Sequence, residues 1–176
     1  MLRLILLRHA KTERDSPNGN DHDRRLDARG HDDANRIGSW LAAHDAPDRA
    51  LVSSAVRARE TWNEMASLLP RTGVEIVAGL YHADPSDILQ AIHGFAGTAT
   101  KRLMIVAHNP GLHELALALV SGGDKHGLRE LQDNLPTCGA AIIAFDLKKW
   151  DDISFRSGTL IRFVSPKLLR ETPERL

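Results

Sequence analysis

The apolar residues of this chain follow two kinds of pattern. Leu4–Leu7 and Leu103–Ala107 are short unbroken apolar runs. Such runs read as strands buried on both faces, the signature of a parallel sheet. Elsewhere the apolar positions recur at helical spacing. Between Asp32 and His44, the residues Ala34, Ile37, Gly38, Leu41 and Ala42 line one face of an amphipathic helix. Ala55, Ala58, Trp62, Met65 and Leu69 describe a second helix, stopped by Pro70. Val74–Val77 is a strand, and Leu51–Ser53 is a shorter one. Asp84-Pro85 reads as an N-cap followed by proline at the first helical position, opening a helix through Ile88, Leu89 and Ile92. A fourth helix runs from Gly111 to Val120, and Gly122-Gly123 reads as its termination. After a mostly polar stretch, Ala140–Phe145 and Leu160–Val164 are two further strands.

Alternation of strand and helix through most of the chain predicts an α/β fold, a three-layer sandwich with a mainly parallel central sheet flanked by helices. At 176 residues, with 42% hydrophobic and 26% charged residues, the chain suits a single domain over residues 1–176. The charged segment 166–176 is expected to fray. Lys11–Asp27 is polar and broken by Pro17, Asn18, Gly19 and Asn20, a long loop of the kind that carries function.

Lys+Arg and Asp+Glu both number 23, so the formal charge is zero. That balance argues against a nucleic-acid partner, which needs net or clustered positive charge. No stretch approaches the length of a membrane span, and the apolar N-terminal run stops at Arg8, too short for a signal peptide; a cytoplasmic location is expected. Cys138 is alone and reads as a reduced core thiol. The nine histidines share no ligand spacing, so no metal site is expected.

Open α/β sheets bind ligands at the carboxyl ends of their strands. Arg8 and His9 follow the first strand. Ser53 and Ser54 follow the second, with Arg57 in the first turn of the next helix. His108, Asn109, Pro110 and Gly111 follow the fourth. Two imidazoles and two guanidiniums at one edge, beside helix N-termini, suit a small anion. An arginine fork matches phosphate better than a point charge does.

The same residues carry a family resemblance. Leu7-Arg8-His9-Ala10-Lys11 resembles the Arg-His-Gly motif of the histidine phosphatase superfamily, the phosphoglycerate-mutase-like proteins. Leu51 to Thr61 looks like its second arginine motif, and Val106-Ala107-His108-Asn109-Pro110-Gly111-Leu112 is similar to its second-histidine motif. Asp21-His22-Asp23-Arg24-Arg25-Leu26, with Gly30 following, points to the small SixA-like branch of phosphohistidine phosphatases. The resemblance implies that His9 is a nucleophile that becomes phosphorylated, with Arg8, Arg57 and His108 holding the phosphoryl oxygens. Arginine and imidazolium would supply the positive charge, so neither metal nor cofactor is implied. For His9 to present a neutral nitrogen to phosphorus, its other nitrogen should donate to a backbone carbonyl. Arg24, in the long loop, and Asn109 are candidate substrate contacts.

Two departures matter. Ala10 stands where the family places glycine. The stretch Gly79 to Asp84 lacks a carboxylate at the place where many relatives carry an acid; His82 and Asp84 are the nearby titratable groups, and Asp84 has a competing N-cap role. An alkoxide leaving group needs a proton from a positioned acid, worth typically 10²–10⁴ in rate. Phosphohistidine protonated on its distal nitrogen expels neutral imidazole, whose conjugate acid titrates near 6.5. The expected substrate is therefore phosphohistidine in a protein. The alternatives are a small phosphoester, or a non-catalytic module that binds phosphate or a phosphoprotein.

Overall fold

The computed structural model describes residues 1–176. Its seven strands are β1 (Leu2–Arg8), β2 (Arg49–Ser53), β3 (Gly73–Val77), β4 (Arg102–Ala107), β5 (Val120–Gly123), β6 (Ala140–Phe145) and β7 (Gly158–Val164). They form one sheet in the order β3-β2-β4-β1-β6-β7-β5. Only β6 runs against the others, antiparallel to both β1 and β7. The helices are α1 (Ala28–His44), α2 (Val56–Ala66), α3 (Pro85–Phe95), α4 (Gly111–Leu119), α5 (Lys125–Asp133) and α6 (Pro166–Glu171).

The unbroken apolar runs divide between two cores because successive strand residues point to opposite faces. Ile5 and Leu7 of β1, with Met104 and Val106 of β4, pack under Ile37 and Leu41 of α1 and Trp62 and Met65 of α2. Leu4 and Leu6, with Leu103 and Ile105, pack under Ile88 and Ile92 of α3 and Leu112 and Leu115 of α4. Each such fully buried side chain contributes about 1.5–3 kcal/mol. This gives the three layers expected from the sequence.

Three features differ from the sequence expectation. Val120–Gly123 does not merely end a helix; it pairs as β5 with β7. Gly123 has φ 138°, and an added Cβ would stand 2.2 Å from the Leu160 carbonyl oxygen, so the contact demands glycine. The polar stretch that follows contains α5, capped by Asp124, whose carboxylate accepts from the Gly127 N–H at 2.7 Å. Residues 166–176 do not fray. They form α6 and a final 3₁₀ turn, Leu169 and Leu176 pack against the α1–α2 core, and Arg170 pairs with the buried Asp33 at 3.2 Å.

This topology sets the site. β2, β4 and β1 are neighbours with a common direction, so Ser53, Ala107 and Arg8 end side by side at one edge. Antiparallel β6 begins at that same edge, pairing Ala140 with Leu7, and brings the loop 134–139 against it.

Candidate active site

The His9 ring is almost buried. Its Nδ1 lies 2.8 Å from the Ala10 carbonyl oxygen. A carbonyl can only accept, so Nδ1 carries the proton and Nε2 keeps its lone pair. The Ala10 N–H in turn donates to Thr61 Oγ1 at 2.9 Å, and the Thr61 hydroxyl donates to the Arg57 carbonyl at 2.7 Å. The orientation of His9 is thereby joined to the first turn of α2. From the other side, the Cys138 N–H donates to both the Arg8 and His9 carbonyls at 3.0 Å. Cys138 itself is buried, and burial raises its thiol pKa.

The His108 ring stands 5.2 Å from that of His9, centroid to centroid. Its Nε2 lies 2.7 Å from Ser53 Oγ. Ser53 Oγ also accepts from the Ala55 N–H; where it gives its own proton to His108 Nε2, the imidazole proton sits on Nδ1. Arg57 extends along the same cleft, its guanidinium 5.8 Å from the centre of the Tyr81 ring. Arg8 donates to the Leu135 carbonyl at 3.2 Å. Five buried side-chain polar atoms have no partner in the protein, and four of them belong to this site: Arg8 Nε, Arg57 Nε, His108 Nδ1 and Asn109 Oδ1. Leaving a buried donor unpaired costs about 1–3 kcal/mol. The two arginine Nε–H groups are donors in every state and His108 Nδ1 is a third when it carries the ring proton, the chemistry a phosphoryl group requires.

A cleft of about 410 Å³ opens beside this group, lined by Asp21, Arg57, His82, Asp84, His108 and Glu114 among others. Arg8 and His9 do not line it directly; they lie against His108 and Arg57, close enough that the charges of all four interact. The α4 N-terminus forms one wall. Gly111 is required there, because an added Cβ would stand 2.0 Å from the Ala83 carbonyl oxygen.

Burial, opposed in part by the hydrogen bond to Ala10, lowers the His9 pKa to about 3. Burial and then the Arg57 charge lower that of His108 to about 3. Both rings are therefore neutral at pH 7, and the imidazolium expected at His108 is replaced by a neutral donor. The consequence for stability follows from linkage. Between pH 6.5 and 3 the unfolded chain takes up protons that the folded rings refuse, so stability falls as pH drops through that window. Each ring contributes a slope of about 1.4 kcal/mol per pH unit. Urea unfolding between pH 7 and 4 should show this slope, and His9→Ala should reduce it by about half. An unchanged slope would mean that His9 is protonated freely in the folded state.

The sequence-predicted residues thus divide. Arg8, His9, Arg57 and His108 are brought together. Asn109 lines the cleft, but its amide donates to the Leu135 carbonyl at 2.8 Å, which shapes the loop that also holds Arg8. Arg24 does not line the cleft. It bonds to Thr12, the Glu13 carbonyl and Asp21, and reaches the site only through Asp21. Asp84 fulfils its N-cap role: it accepts from the Asp87 N–H at 2.9 Å in a full capping box, which with the Ser86 hydroxyl lowers its pKa. His82, with φ 59°, lines the cleft.

Two residues of the site were given no role by the sequence, although Asp21 opens the Asp21–Leu26 motif. Asp21 accepts from Arg57 through both its backbone carbonyl, at 2.8 Å, and its carboxylate, at 3.1 Å. Tyr81 donates its hydroxyl to the same carboxylate at 2.7 Å. Neither contact follows from spacing, because both depend on a loop closed far from either partner by the Thr12–Leu26 bridge. No group of three or more His, Cys, Asp and Glu side chains is arranged to hold a metal, and no helix is long and apolar enough to cross a membrane.

A neutral imidazole whose Nε2 keeps its lone pair, two unpartnered guanidinium donors and converging strand ends suit a small anion on a phosphoglycerate-mutase-like fold. The family model of the histidine phosphatase superfamily (branch 1) matches residues 4–85. An uncharacterized protein of Mycobacterium leprae is 34% identical over 92% of this chain and all of its own length. Among solved structures, the protein assigned as phosphohistidine phosphatase SixA from Agrobacterium tumefaciens is 26% identical, with a TM-score of 0.77 over 94% of this chain and 98% of that one. The protein histidine phosphatase SixA in complex with tungstate shares the fold, with a TM-score of 0.76 at 20% identity over 96% of this chain and 99% of that one. The chain belongs to the histidine phosphatase superfamily, in its SixA-like branch, and is a phosphatase acting on a phosphorylated substrate.

Proposed function

We propose that this phosphatase removes the phosphoryl group from phosphohistidine in proteins, through a phosphohistidine intermediate on His9. His9 Nε2 attacks phosphorus while Nδ1–H stays on the Ala10 carbonyl. Arg8 and Arg57, with the Nδ1–H of His108, hold the non-bridging oxygens. The P–N bond of the substrate breaks, and its electron pair goes to the leaving imidazole. Water then attacks phosphorus, the His9–P bond pair returns to Nε2, and dihydrogen phosphate leaves with both protons of the water.

One observation carries the substrate assignment: two of the three carboxylates of the cleft are engaged in other contacts, and no protein contact holds the third in place. Asp21 is held well below the usual carboxylate range, first by the Tyr81 hydroxyl and then by Arg24 and Arg57. Asp84 is tied into its cap. Glu114 is exposed on α4 and makes no hydrogen bond to any of these residues. A leaving alkoxide would find no acid held in place among these carboxylates, whereas imidazole that already carries its distal proton departs without one. The assignment of the Agrobacterium relative as phosphohistidine phosphatase SixA supports the same reading. A small phosphoester substrate would require His82, which lines the cleft, to act as the acid.

The test is a rate comparison on a phosphohistidine protein, a sugar phosphate and an aryl phosphate under one set of conditions. The phosphohistidine protein should be hydrolysed at least 10² faster than the sugar phosphate, the lower range of what an absent general acid costs. Equal rates on the two would overturn the assignment.

A further inference from the structure

An anion stands where an anion is to be bound. The excursion 13–25 places the Asp21–Asp23 turn directly over Arg57, and the Asp21 carboxylate shares that guanidinium with any incoming phosphoryl group. Like charges at such a distance repel, so Asp21 weakens the binding of a simple phosphate dianion. Its contacts nevertheless fix it in place: Oδ2 accepts from Tyr81 and Arg57, and Oδ1 from Arg24. A carboxylate offers about four acceptor positions, and these contacts use three. The side chain is 45% exposed and lines the cleft, so the remaining position is open to a ligand.

Resting on the substrate reading above, we propose that Asp21 is the specificity-determining residue of the site: its carboxylate accepts the N–H of a positively charged leaving group and so selects phosphoramidates over phosphate esters. In N-phosphoimidazole protonated on its distal nitrogen, phosphorus is bound to one ring nitrogen and the proton to the other. With the phosphoryl group against Arg57, that N–H is offered to the carboxylate beside Arg57. The charge pair keeps the distal nitrogen protonated at pH values where the free ligand would lose its proton. His9 Nε2 then forms its bond to phosphorus, and the P–N pair passes to the leaving ring. The ring departs as neutral imidazole with its distal proton retained, and the positive charge now resides on phosphorylated His9. An ester reverses the effect, because the negative charge that develops on its leaving oxygen meets a fixed carboxylate. Selectivity arises from attraction on one side and repulsion on the other.

The charged and titratable groups around Asp21 come from every neighbouring element. They are Arg57 of α2, Arg24 and His22 of its own loop, Tyr81 and His82 before α3, and His108 after β4. Asp84 and Glu114 complete the cleft lining and add to its negative charge.

The experiment measures kcat/KM for phosphoimidazole and for 4-nitrophenyl phosphate in the parent protein and in Asp21→Asn, from pH 6 to 9. Asparagine keeps an acceptor for Tyr81 and Arg57 but loses the charge. The preference for phosphoimidazole should fall about tenfold, the worth of one hydrogen bond to a charged group. The alkaline limb of the phosphoimidazole profile should also move to lower pH. Vanadate binding by the variant, at parental strength or tighter, reports an intact site. Equal losses on both substrates with an unmoved pH profile would overturn the inference, leaving Asp21 as a support for Arg57 alone. A parent protein that hydrolyses a sugar phosphate as fast as phosphoimidazole would instead overturn the substrate reading beneath it.

Discussion

His9→Ala is expected to eliminate turnover while the protein continues to bind phosphate and vanadate. A covalent mechanism has no substitute for its nucleophile, and loss of such a residue typically lowers kcat by on the order of 10⁴–10⁶. Anion binding should survive, because Arg8 and Arg57 take their positions from contacts that do not involve the imidazole: the Leu135 carbonyl in one case and Asp21 in the other. Rapid quenching in denaturant should trap an acid-labile phosphoryl group on the parent protein and none on the variant. Residual turnover within tenfold of the parent, or a phosphoryl label that persists in the variant, would remove His9 from the role of nucleophile.

The second large effect is expected at Arg57. Arg57→Lys preserves charge but replaces a planar fork of five donors with a single ammonium. The fork is used in two directions here: its terminal nitrogens hold Asp21, and Nε is buried with no protein partner. Lysine cannot do both. The expected loss in kcat/KM is about 10²–10³, the usual consequence of removing one charged donor from a preorganised oxyanion site. If lysine restored more than a tenth of the parental kcat/KM, charge alone would suffice and the fork geometry would be irrelevant to the reaction.

Much of this architecture is written in short-range pattern. Leu4–Leu7 and Leu103–Ala107 are apolar without interruption because both faces of β1 and β4 are covered. The meeting of Arg8, His9, Arg57 and His108 was equally legible, since each ends or follows a strand or opens a helix and the topology does the rest. β5 was not legible. Its Gly122-Gly123 pair looks like a stop signal, and its pairing rests on how closely Leu160 approaches, a fact of tertiary structure. α5 escaped notice because Leu128 and Leu131 are the only large apolar residues in its nine positions, too few to mark a period. The starting point of α1 was placed late for a related reason. Asp27 caps it by accepting from the Gly30 N–H at 2.7 Å, and the first turn then passes through polar residues with no apolar rhythm. Asp21 and Tyr81 are the deepest omission. Sixty positions apart, they share a hydrogen bond that no local pattern could announce.

The Ala10 peptide unit faces two ways, its oxygen toward the His9 ring and its nitrogen toward Thr61. Everything this position contributes passes through main-chain atoms that any amino acid possesses. Identity at residue 10 is therefore a matter of room rather than chemistry: the methyl group is fully enclosed beside the α1–α2 layer. Glycine in place of alanine should leave this peptide unit where it is, whereas a larger side chain would have to displace the main-chain atoms that orient His9.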